Sequence, residues 1–140
     1  MKRTINVEGF IYNEKKDEIL AVRKRDLSWG FPGGVVEKDQ TMEEALVLKV
    51  KQQTNVTISV DSLLFCKERR TEWEHVCTIV FRATAMGDFN WPENDESVFR
   101  VKWLSIPTAD SLLELEKTPL NKLIFDKGVL YDHHNEFPVS

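Results

Sequence analysis

The chain has 140 residues, 41% of them hydrophobic and 30% charged, with a formal net charge of −4. That length fits a single globular domain over residues 1–140, and four Trp and eight Phe supply large areas for a core. The acidic balance argues against nucleic acid as the main partner, no apolar run is long enough to span a bilayer, and the opening MKRTINVEGF lacks the apolar stretch of a secretion signal. Cys66 and Cys77 form no CxxC pair, so the expectation is a cytoplasmic chain with two reduced packing cysteines.

In chain order, TINVEGFIY is β-branched and aromatic and predicts a strand. NEKKD is a polar turn, and EILAVRKR predicts a second strand that closes a hairpin on the first. DLSWGFPGG is a loop ending in a glycine turn, and VVE is a short extended piece. Thr41 followed by Glu44 is a capping box, which predicts a helix over about 41–54. VTISVDSLLFCKERR and EWEHVCTIVFRATA predict two long strands, and a two-residue turn at Thr71 and Glu72 sets Cys66 directly opposite Cys77. After the loop MGDFNWPENDES comes the strand VFRVKWLSI, then a helix over about 109–128 interrupted near Pro119. YDHHNEFPVS is a polar tail expected to be loose, with His133 and His134 carrying no role. Strands on both sides of a first helix, with a second helix at the end, imply an α/β fold: a mixed sheet covered on both faces.

The first helix carries the chemistry. At about 100° per residue, Leu46, Val47, Val50 and Thr54 share the core face. Ala45, Leu48, Lys49, Gln52 and Gln53 share the opposite arc, where Lys49, Gln52 and Gln53 converge. Carboxylates at those positions would hold a hard divalent cation, whereas amides are poor substitutes and an ammonium is no ligand.

From Gly34 to Val56 the chain resembles the Nudix box, G-x5-E-x7-R-E-U-x-E-E-x-G-U with U a bulky aliphatic, and it aligns without a gap. The preceding WGFP and the later VKW at 101–103 are also similar to the family's layout. Gly34, Val50 and Val56 match the box. Gln40, Leu48, Lys49, Gln52 and Gln53 stand where the family has Glu, Arg, Glu and a Glu pair, and Asn55 replaces Gly. Positions with a structural job are kept or nearly so, since Asn is the second choice after Gly for a left-handed residue. Positions with a chemical job are replaced, and of these only Lys49 is charged.

The resemblance implies an α/β/α sandwich. It leaves the catalytic set empty, with no metal bound by the box and no cofactor. Asp95 and Glu96 in the late loop, and Glu37, Asp39, Glu43 and Glu44 beside the helix start, are the acids elsewhere; they read as surface charge and helix-dipole compensation. Candidate ligand contacts are Arg23 at a strand end, Trp29 as a stacking surface, Gly33 and Gly34 for close backbone approach, and Lys49, Gln52 and Gln53 as donors to phosphate. Three readings stay open. The first is a protein that binds a nucleotide or other small phosphate compound without Mg²⁺-dependent pyrophosphate cleavage. The second is a divergent hydrolase of a nucleoside diphosphate derivative, using Mg²⁺ held by acids outside the box. The third is a structural interaction domain, with a homodimer as its natural form.

Overall fold

One strand serves both faces of the fold. In β1 (Lys2–Asn13), Val7, Gly9, Phe10 and Ile11 are all buried, because side chains alternating to either face meet a covered surface. The structure is a computed structural model and describes residues 2–87, 98–115, 119–134 and 136. After β1 come β2 (Glu18–Lys24), β3 (Trp29–Gly30), β4 (Gly33–Val35), α1 (Met42–Thr54), β5 (Thr57–Arg70), β6 (Glu74–Met86), β7 (Val98–Ser105), α2 (Ile106–Leu112) and α3 (Leu120–Phe125). The strands join in the order β3-β2-β1-β6-β5, with β4 paired to β1 and β7 paired to β2.

Two cores sit on the two sides of this mixed sheet. Val7, Ile11 and Leu20 pack with Ala45, Leu46 and Val50 of α1 and with Ile79 and Phe81 of β6. Phe10, Ile19, Ala21 and Val80 pack with Ala109 of α2 and with Leu120 and Leu123 of α3. The expected α/β/α sandwich is therefore the architecture found. Among the described residues no helix is long and apolar enough to cross a membrane.

Helix α1 is specified locally at both ends. The Thr41 side chain accepts from the Glu44 N–H and the Glu44 carboxylate accepts from the Thr41 N–H, both at 3.1 Å. Asn55 closes the helix with φ of 60°, in the left-handed region that Asn tolerates, and its N–H bonds the Lys51 carbonyl. Thr41→Ala is expected to cost about 1 kcal/mol in denaturant unfolding. The Thr41 N–H holds the Glu44 carboxyl below its usual range. The stabilising contribution of that carboxylate is present above its unfolded pKa and is lost as pH falls through the lower folded one. The stability gap between wild type and Glu44→Gln should accordingly close in acid.

Several expectations are corrected. The β1–β2 hairpin is brief, pairing at Tyr12↔Ile19 and Asn13↔Glu18, because the rest of β1 runs parallel to β6 from Lys2↔Glu74 to Ile11↔Ala83. The two glycines lie in a strand, not a turn: Gly33 and Gly34 belong to β4 and pair with Glu8 and Val7. The β5–β6 connection is longer than two residues, since the Thr71 hydroxyl accepts from the Trp73 and Glu74 N–H groups and widens it. The register moves with it, so Cys77 faces Glu68 and Cys66 faces Ile79. The C-terminal helical segment is two short helices, with Pro119 as the N-cap of α3. The tail is docked: Val129 bridges to Leu63, the Tyr131 ring stands edge-on to Phe81 at 4.9 Å, and His133 Nε2 lies 2.9 Å from a Glu43 carboxylate oxygen. His134 stays at the surface, 3.4 Å from Glu136.

Candidate functional site

The contact between β4 and α1 brings four of the candidate residues together. A Cβ on Gly33 would lie 1.9 Å from the Val7 carbonyl oxygen, so only glycine fits where β4 crosses β1. At Gly34 the missing side chain makes room for Lys49, whose Cδ lies 3.1 Å from where a Cβ would stand. The lysine stem therefore lies along the strand backbone. Gln53 reaches the same strand from one turn further along the helix. Its amide oxygen accepts from the Gly33 N–H at 3.0 Å and its amide N–H donates to the Gly33 carbonyl at 2.8 Å.

That two-point clasp changes the part given to Gln53. The residue is buried, and it ties the strand to the helix rather than lining an open cleft. A carboxylate could accept from the Gly33 N–H but could not donate to its carbonyl. Gln53→Glu is therefore expected to cost about 1–3 kcal/mol, through an unsatisfied carbonyl facing a negative charge. Thermal denaturation of the variant checks this.

The remaining candidates are dispersed. Gln52 is exposed on the helix flank and Leu48 is 44% exposed. Gln40 accepts from the Glu37 N–H at 3.0 Å and shapes the loop before α1. Arg23 and Trp29 are cross-strand partners. Ile19 and Ala21 of β2 enter the α2 side of the sheet, and strand alternation places Arg23 with them. Trp29 packs against that same core, and the Arg23 Nε donates to the Leu27 carbonyl at 3.1 Å. These two residues therefore do not converge with Lys49, which works on the α1 side. The expectation that the strand-end Arg23 and the stacking surface Trp29 join the glycines and Lys49 at one ligand site is corrected, because the sheet separates them.

The side chains at the box positions do not fit Mg²⁺. Gln40 and Gln53 have their amides engaged, Lys49 carries a positive charge, Leu48 is apolar and Gln52 is neutral, so a hard cation finds no charged oxygen there. Nearby carboxylates have other partners: Glu43 meets His133 at 2.9 Å, Glu44 caps α1, and Glu8 meets Lys67 at 3.5 Å. Asp95 and Glu96 lie outside the described residues.

Sequence reasoning missed an open cavity of about 420 Å³ lined by Lys16, Glu18, Val101, Lys102 and Trp103. Trp103 and Val101 pack against the α1-side core, and Lys16 and Lys102 add positive charge to the lining. The signal was present as an aromatic flanked by Lys102 on β7, but only the β2–β7 pairing, Leu20↔Trp103, sets that strand beside the turn carrying Lys16.

The solved structure of a NUDIX hydrolase from Nitrosomonas europaea superposes with a TM-score of 0.70 at 18% identity, covering 85% of this chain and 83% of that one. An ADP-ribose pyrophosphatase from Streptococcus suis gives a TM-score of 0.68 at 19% identity, covering 86% and 87%. In sequence, a MutT-like protein of Streptomyces ambofaciens is 28% identical over 103 residues, which is 73% of this chain and 64% of that protein. An ADP-ribose pyrophosphatase of Methanocaldococcus jannaschii is 34% identical over 89 residues, 59% of this chain and 52% of that protein. The matches thus span between half and two-thirds of the length of these curated relatives. The NUDIX domain family model matches residues 2–126, and the chain belongs to that family.

Proposed function

We propose that this protein binds a phosphate-bearing small molecule, a nucleotide or nucleoside diphosphate derivative, at the β4–α1 contact without using Mg²⁺, and that it does not cleave pyrophosphate at enzyme rates. The observation that carries this reading is the placement of Lys49. Its stem packs over Gly34 in the space a side chain would fill, and its ammonium is a tethered cation at the helix position that a metal-binding acid would occupy. The names of the relatives point to nucleoside diphosphate compounds as the first ligands to try. The cavity lined by Trp103, Lys16 and Lys102 offers an aromatic surface beside positive charge, which suits a base or sugar.

The divergent-hydrolase reading is supported less well, because Glu43 and Glu44, two of the acids beside the helix start that it would draw on, are already engaged. The experiment is a turnover assay with ADP-ribose and other nucleoside diphosphate derivatives, with Mg²⁺ or Mn²⁺ and then with a chelator. Negligible cleavage under all conditions is expected, since no box carboxylate remains to hold a metal or activate water. Turnover at ordinary enzyme rates that the chelator abolishes would overturn the reading in favour of a hydrolase.

A further inference from the structure

The corrected hairpin register assembles a group of side chains that the β4–α1 site does not use. Glu68 on β5 stands directly opposite Cys77 on β6, and His75, two residues earlier on β6, points to the same face. Nε2 of His75 lies 2.5 Å from Oε2 of Glu68, and Sγ of Cys77 lies 4.0 Å from that oxygen and 3.9 Å from that nitrogen. One ligand atom from each residue falls within 4.8 Å of the other two. We propose that Glu68, His75 and Cys77 form a binding site for a borderline-soft divalent metal ion, Zn²⁺ above all, with a fourth position open to solvent.

The dimensions fit that ion. Zn²⁺ takes nitrogen and oxygen ligands at about 2.0–2.2 Å and thiolate sulfur at about 2.3 Å, which sets the edges of its tetrahedron at roughly 3.3–3.6 Å. The two edges to Cys77 need to close by less than about half an ångström. The Glu68–His75 edge must open by under an ångström, which replaces their hydrogen bond with two metal bonds. Backbone pairing from Arg70↔His75 to Cys66↔Ile79 holds all three residues on a rigid ladder, so side-chain rotation alone makes the adjustment. His75 and Cys77 are half-buried while the Glu68 side chain is 63% exposed, so the open position faces water.

The donor set also discriminates among ions. A thiolate and an imidazole suit Zn²⁺ and reject Mg²⁺, which requires oxygen. Two anionic ligands neutralise a dication. Arg70, opposite His75 on β5, and Arg3, beside it on β1, oppose binding from the rim. Cys66 is two residues from Glu68 on the same face, but it is exposed and its thiol is not one of the three converging groups.

The test uses the full chain, stripped of metal and kept reduced, titrated with Zn²⁺ by calorimetry and with Co²⁺ by absorption. The expected result is one ion per chain and a near-ultraviolet thiolate-to-cobalt charge-transfer band. Cys77→Ser should abolish the band, and His75→Gln should weaken Zn²⁺ binding roughly tenfold or more, as loss of a direct ligand exceeds the effect of removing its supporting partners. Cys66→Ser, Lys49→Ala and a His133→Ala, His134→Ala double variant should leave binding intact. A wild-type chain that gives no charge-transfer band overturns the proposal without recourse to any variant. Binding that survives Cys77→Ser and His75→Gln, that disappears in Cys66→Ser, or that Mg²⁺ displaces at comparable concentration overturns it as well.

Discussion

Gly33→Ala is expected to destabilise the fold by about 3 kcal/mol or more, because overpacking here meets backbone that cannot rotate away. The added Cβ would lie 1.9 Å from the Val7 carbonyl oxygen and 2.8 Å from the Glu8 Cα. Relief requires β4 to part from β1, which also breaks the clasp made by Gln53. Gly34→Ala provides the contrast. Its Cβ would meet the Lys49 stem first, at 3.1 Å, and a flexible side chain can move by a few tenths of an ångström. Chemical denaturation should therefore show a large loss of stability for Gly33→Ala and less than about 1 kcal/mol for Gly34→Ala. Equal losses would mean that β4 is not held against β1 as described.

Lys49→Ala is expected to weaken binding of a phosphate ligand by roughly ten- to a hundred-fold, the equivalent of one charge-assisted hydrogen bond at about 1.5–3 kcal/mol. The fold should tolerate the change, since the lysine lies over Gly34 at the surface of the contact and not within either core. Lys49→Glu should weaken binding further, and added Mg²⁺ should restore part of it by pairing with the new carboxylate. Calorimetric titration of both variants with ADP-ribose checks these outcomes. Unchanged affinity in Lys49→Ala would remove Lys49 from the site and leave an interaction scaffold as the better reading.

Features decided within a few residues were legible in the sequence. The capping box of Thr41 and Glu44 and the left-handed Asn55 both follow from local hydrogen bonding, and both stand as expected. The buried face of α1 was legible in part from its period: Leu46, Val50 and Thr54 are buried and Val47 packs partly against them, but Ala45, placed on the opposite arc, is fully buried in the same core. Features decided by partners far away in sequence were not. Gln53 was expected to line a cleft with Lys49 and Gln52, but its partner is fixed by how closely β4 approaches the helix, which the helix period does not contain. Arg23 at its strand end and Trp29 before the glycines were expected at the same site, whereas strand alternation sends them to the other side of the sheet. The hairpin register turned on one hydroxyl, that of Thr71, which widened the connection and placed Glu68 beside His75 and Cys77. The tail looked polar and loose because its anchors, Phe81 and Glu43, lie in β6 and α1.

The most direct measurement is a calorimetric titration of the wild-type chain with ADP-ribose and with ADP, once in excess EDTA and once in Mg²⁺. Metal-independent recognition through Lys49 and the β4 backbone predicts saturable binding of at least one of these ligands in EDTA, with an affinity that Mg²⁺ does not raise. Binding that appears only when Mg²⁺ is present would contradict it.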